Sequence, residues 1–213
     1  MIGIKHGACI GLDLDNTLID YGDLFYRAAL ARGLLTPDVP CDKTSVRDRL
    51  RRLADGELHW QRIQAEVYGP GLVASRPYPG AGEFLDAAAR GGFQLAVVSH
   101  KTRFAAQDPQ GTDLHEAARG WLRSQGFMGP GRPLAEDAVF FEATRADKTA
   151  RIAALGCAAF VDDLPEVFGH PGFPSGTVRL LFAPDGAQGA DSSCTVLRDW
   201  PAVMRLLLED RNG

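Results

Sequence analysis

Four short stretches of this chain end apolar runs, or open a helix, with side chains able to do acid, base or ligand chemistry. The first is Cys9-Ile10-Gly11-Leu12-Asp13-Leu14-Asp15-Asn16-Thr17-Leu18-Ile19, in which an apolar run ends in two acids one residue apart. An apolar run bounded by turn residues reads as a buried strand, although so short a run leaves helix open. In a strand, Asp13 and Asp15 point the same way and Leu14 points into a core. Two carboxylates at the end of a buried strand are costly unless something cationic lies between them. Oxygen-only ligands with high negative charge suit a hard cation such as magnesium. An acidic loop capping the next helix is the plain alternative. Three later segments supply matching chemistry: Gln94–Ser99 is an apolar run ending in a hydroxyl, Lys148 lies near the start of an amphipathic stretch at 147–155, and Ala158–Asp163 ends in paired acids.

The order acid pair, serine, lysine, acid pair resembles the haloacid dehalogenase-like (HAD) superfamily, over roughly residues 8 to 183. The motifs would be Asp13-Leu14-Asp15-Asn16-Thr17, Ser99, Lys148 and Asp162-Asp163. The resemblance implies that Asp13 is a nucleophile forming an aspartyl-phosphate. Asp15 would give a proton to the leaving oxygen and then take one from water, so it should be protonated when substrate binds. Ser99 would donate to a phosphate oxygen, and Lys148 would neutralise charge there and on Asp13. Magnesium would be held by the Asp13 carboxylate, the Asp15 backbone carbonyl and Asp163, with Asp162 orienting a bound water or ligating directly. Lys101 and Arg151 rival Lys148 as the cation, and the position of Lys148 before the last acid pair favours it. Glu166 could support this loop or be an ordinary acid of a first helical turn.

Asn16, Thr17, His100, Lys101 and Arg103 are candidate substrate contacts. His100-Lys101-Thr102-Arg103 opens a long polar loop to Thr112 that could meet an anionic or hydroxyl-rich group, or could simply be solvated.

These residues need elements to hold them. At 213 residues and 23.0 kDa, with 45% hydrophobic residues, the chain can build one core domain and a small appendage. Strand and helix patterns alternate, which favours an α/β parallel sheet covered on both faces. Helices are predicted over 81–90, 114–124, 148–155 and 200–209, and further strands over 138–141 and 177–182. Between the first strand and residue 81, three helices are predicted over 23–32, 45–54 and 58–68, with Trp60 as a packing residue. The expected organisation is therefore a Rossmann-like core, 1–20 and 76–213, with a small helical cap at 21–75, an insertion that many HAD enzymes carry.

Net charge is −4 with a pI near 5.7, which gives no basic field for nucleic acid or an anionic membrane. No signal-peptide pattern or membrane-length apolar segment is present, so the expected location is cytoplasmic. Cys9, Cys41, Cys157 and Cys194 have neither metal-site spacing nor a disulfide framework. The expected activity is that of a magnesium-dependent phosphomonoester hydrolase acting on a small soluble metabolite, as a monomer or homodimer. A phosphomutase or dehalogenase of the same fold, or a non-catalytic phosphate- or partner-binding module, is the alternative.

Overall fold

A computed structural model describes residues 4–186 and 193–208. In chain order the strands are β1 (Cys9–Leu12), β2 (Ile19–Asp20), β3 (Arg76–Pro77), β4 (Gln94–His100), β5 (Val139–Glu142), β6 (Cys157–Asp162), β7 (Val178–Phe182) and β8 (Thr195–Leu197). The helices are α1 (Leu24–Ala31), α2 (Lys43–Leu50), α3 (Gly56–Tyr68), α4 (Ala81–Arg90), α5 (Leu114–Ser124), α6 (Arg145–Ala154), α7 (Pro165–Phe168) and α8 (Trp200–Leu208). The predicted end of the last helix, Glu209, lies outside the described residues.

Six strands form one parallel sheet in the order β5-β4-β1-β6-β7-β8. All four residues of β1 are buried, as expected for a central strand covered on both faces. On one face Ile152 of α6 and Val167 and Phe168 of α7 pack with Ala96, Val98 and Phe160. On the other, Trp200 of α8 lies 5.0 Å from Phe84 of α4 and 5.5 Å from Phe182 between ring centroids. From β1 the chain goes to β4 and β5 on one side, then crosses to β6 on the other. Side chains at the carboxyl end of β1 thus sit at a switch in strand order, where open α/β sheets bind ligands.

Contacts divide the chain into two compact units, one of 1–19, 77–101 and 123–213, the other of 20–76 and 102–122. The second holds α1, α2 and α3 around an aromatic cluster. Trp60 is buried there, 5.3 Å from Phe25 between ring centroids, while Tyr21 and Tyr68 meet edge to face at 5.2 Å. Residues 102–122, which sequence patterning leaves with the sheet, group with this unit. Periodicity shows that a segment is apolar on one side but not which neighbour covers that side.

Of the helix starts that differ from the predicted ones, two are set by side-chain caps. Asp42 accepts a hydrogen bond from Ser45 N at 2.9 Å, which starts α2 at Lys43. The Thr144 hydroxyl oxygen accepts from Asp147 N at 3.1 Å and its hydroxyl donates to Asp147 Oδ2 at 2.7 Å, which starts α6 at Arg145. The short strand β8 had no counterpart in the sequence reading.

Gly11 sits where β1 meets β6. A Cβ there would lie 2.5 Å from Phe160 Cδ2 and 2.8 Å from Cys157 Sγ. Register shifts between Cys9 and Ile10, which brings Cys9 Sγ within 3.7 Å of Cys157 Sγ. Gly11→Ala should therefore overpack the sheet and lower unfolding free energy by about 1–3 kcal/mol. Denaturant titration would show this as a lower midpoint at constant slope; an unchanged midpoint would mean that Phe160 and Cys157 give way freely.

Candidate active site

The backbone beyond β1 is tied down before any side chain is considered. Asp13 N donates to Val161 O at 2.8 Å, continuing the pairing with β6 past Leu12. Leu14 O then accepts from Leu18 N at 3.0 Å and Ile19 N at 2.9 Å, closing a tight turn. Within it Asn16 has φ of 59°, a left-handed conformation that asparagine adopts more readily than most residues. Asn16 Nδ2 donates to Asp163 Oδ2 at 3.2 Å, which joins the loop after β1 to the loop after β6. Trp200 Nε1 donates to Thr17 O at 3.1 Å and anchors the same turn from α8. Asn16 therefore has a scaffolding contact in addition to its candidacy for substrate. The Thr17 hydroxyl is buried without a hydrogen-bond partner among the described residues.

Capping of α6 brings Lys148 into its first turns and over the sheet. Lys148 is 1% exposed, with Nζ 2.6 Å from Asp13 Oδ1 and 2.7 Å from Asp162 Oδ2. Asp162 Oδ2 faces the ammonium, and its Oδ1 accepts from Leu164 N at 3.0 Å. Burial pushes the Asp13 carboxyl up to about 7; Lys148 opposes the rise, and the charges of Asp162 and Asp15 add to it. Burial also presses Lys148 to lose its proton, but Asp13 and Asp162 outweigh that and hold it above its ordinary value.

A second buried lysine meets the second acid. Lys101 Nζ lies 3.0 Å from Asp15 Oδ1 and 2.7 Å from Asp15 Oδ2. The sequence offers Lys101 as a substrate contact or as a rival to Lys148, and does not pair it with Asp15. Its place two residues after Ser99, with strand alternation, was the available signal. One ammonium therefore faces both carboxylate oxygens of Asp15.

The other candidates lie as follows. Ser99 is buried at the end of β4. His100 Nε2 lies 3.0 Å from Ala143 O. Arg103 belongs to the second unit and pairs with Asp113 at 2.8 Å. Arg151, a rival to Lys148, pairs with Glu142 at 2.7 Å and stacks 4.7 Å from the Phe140 ring centre. Glu166 is exposed in the first turn of α7, the ordinary place for an acid near the positive end of a helix.

The donor set fits a hard divalent ion. One carboxylate oxygen each from Asp13, Asp162 and Asp163 lie within 4.8 Å of one another. Formally, Asp13, Asp15, Asp162 and Asp163 carry four negative charges, and Lys101 and Lys148 return two. Acids therefore outnumber ammonium groups here, which suits a cation. Oxygen-only donors match the preference of magnesium.

No family model and no curated protein sequence matches the chain. Solved structures do. A haloacid dehalogenase-like family hydrolase from Streptococcus pneumoniae superposes with TM-score 0.61 at 12% identity, covering 93% of this chain and 97% of that one. Protein Tyrosine Kinase A of Mycobacterium tuberculosis gives 0.60 at 17% identity, with 95% and 98% covered. A HAD family hydrolase from Deinococcus radiodurans R1, solved with bound phosphate and sodium, gives 0.58 at 20% identity, with 96% of each chain covered. At these identities the likeness is one of fold: the chain has the haloacid dehalogenase-like fold, a six-stranded parallel sheet with helices on both faces. No helix among the described residues is long and apolar enough to cross a membrane.

The raised Asp13 pKa has a consequence for stability. The folded protein keeps a proton that the unfolded chain releases near pH 3.8, so stability should fall as pH rises from about 4 to about 7. Denaturant midpoints measured in chelator across that window should decline for wild type and decline less for Asp13→Asn. Equal slopes would show that Asp13 does not titrate there.

Proposed function

We propose that this protein is a phosphomonoester hydrolase that uses magnesium and acts on a small phosphorylated metabolite. The observation that carries this reading is the Asp13–Lys148–Asp162 cluster at the switch point of the sheet, with Asp163 beside it and Asp15 two residues on. Asp13, Asp163, Asp162 and the Asp15 backbone carbonyl are the groups that would hold the ion. When bound it would offset the repulsion between a carboxylate and a phosphate dianion.

The chain's own residues then divide the work. An Asp13 oxygen attacks phosphorus as the bond to the leaving oxygen breaks, and Asp15 gives that oxygen a proton. Water next attacks the aspartyl-phosphate and gives a proton to Asp15, which frees phosphate and restores both acids. Lys148 keeps the Asp13 side chain in place and neutralises charge on the transferring group, while Ser99 donates to a phosphate oxygen. The Deinococcus radiodurans neighbour, with phosphate and sodium bound on the same fold, supports this reading by analogy.

Asp15 argues against a dehalogenase, because a halide leaves without a proton. By the resemblance, a helical insertion directly after the first motif favours a small metabolite over a phosphoprotein. Phosphate release from a panel of phosphorylated metabolites should require magnesium. It should fall by about 1,000-fold or more in Asp13→Asn and by about 100-fold or more in Lys148→Ala. Turnover that survives in Asp13→Asn would remove Asp13 as nucleophile and this proposal with it.

A further inference from the structure

We infer that Lys101 is a positioning residue for Asp15, fixing where the proton is delivered; this rests on the hydrolase reading above. Each acid of the first motif has a buried lysine of its own, Lys148 on Asp13 and Lys101 on Asp15. The Lys101 side chain is 4% exposed, and an ammonium so deeply buried is costly unless it is paired. Its contact is made to both carboxylate oxygens, at 3.0 and 2.7 Å, and such a contact restrains both side-chain torsions of Asp15.

The base of the lysine is equally constrained. Lys101 N donates to Glu142 O at 3.1 Å, one residue past the last β4–β5 pair, His100 with Glu142. The ammonium is therefore carried from the end of a central strand rather than from a mobile loop. Asp15 itself lies at the start of the tight turn closed on Leu14 O and has 18% of its side chain exposed. Without its partner the carboxyl group could turn out of line with a leaving oxygen. Productive proton transfer needs donor and acceptor at hydrogen-bond distance, so small displacements of the acid are expensive in rate. Lys148 thus serves the group that bonds to phosphorus, and Lys101 the group that handles the proton.

A uniform structural role and a positioning role differ in how the loss of Lys101 depends on the leaving group. The parameter kcat/KM covers steps only through the first irreversible one, departure of the alcohol, so it isolates protonation of the leaving oxygen from later hydrolysis of the aspartyl-phosphate. Lys101→Met keeps chain length and removes the charge. It should lower kcat/KM for an alkyl phosphate, whose leaving oxygen needs a proton, by about 100-fold. For p-nitrophenyl phosphate, whose leaving group needs none, the fall should be no more than about threefold. Across a graded series of substituted phenyl phosphates, the dependence on leaving-group acidity should steepen, and Lys101→Arg should restore part of the wild-type dependence. An equal fall across the series, or no fall at all, would overturn the inference. If the wild-type protein cleaves no ester, the hydrolase reading fails on its own. The positioning of Asp15 is then decided by a crystal structure of Lys101→Met, where a displaced carboxylate supports it and an unmoved one overturns it.

Discussion

Much of this structure depends on one buried ammonium. Lys148 Nζ has Asp13 Oδ1 at 2.6 Å and Asp162 Oδ2 at 2.7 Å. Removing water from three charged groups is costly, and the arrangement holds only because the two acids face the lysine together. That requirement places the ends of β1 and β6 side by side and directs the start of α6 at them. The Asp13 N to Val161 O hydrogen bond and the Thr144 cap of α6 are the local devices that meet it. Leaving one of these charges buried and unpaired would cost about 3–5 kcal/mol, so the sheet order and the candidate chemistry are coupled.

The cluster is not arranged for stability alone. Burial raises Asp13 towards neutrality even with an ammonium in contact, so the folded protein holds a carboxylate in surroundings that disfavour its charge. Two lysines against four acids leave a negative excess at the carboxyl end of the sheet. Charge left uncompensated in a buried place costs stability, and the rest of the core offsets that cost. Elsewhere in the unit packing is conventional: Trp200 stacks with Phe84 and Phe182 while its indole N–H also holds the turn at Thr17. One side chain thus links the C-terminal helix to the loop that carries Asp15.

Much of the site was legible in sequence because its residues sit where local patterns change. Asp13, Ser99, Lys148 and Asp162 each lie at the end of an apolar run or near a helix start, and such boundaries leave a trace in hydrophobic periodicity. Helices 81–90 and 114–124 match α4 and α5 for the same reason. Lys101 was seen but given another task, because a lysine beside a polar loop has the same local pattern whether it meets solvent, substrate or a carboxylate. The contact of Asn16 to Asp163 was not legible, since it joins two loops far apart in the chain. The grouping of 102–122 with the helical unit was not legible, because amphipathicity does not name a partner.

From sequence alone follow the alternation of strands and helices, the acids at the end of β1 and the order of the candidate motifs. These are properties of neighbours along the chain, set by side-chain period, turn residues and caps. Tertiary structure decided which charge meets which. Lys101 pairs with Asp15 across 86 positions and Lys148 with Asp13 across 135. Which pairs survive burial depends on strand order and register, because only groups brought within about 3 Å can offset one another's lost hydration.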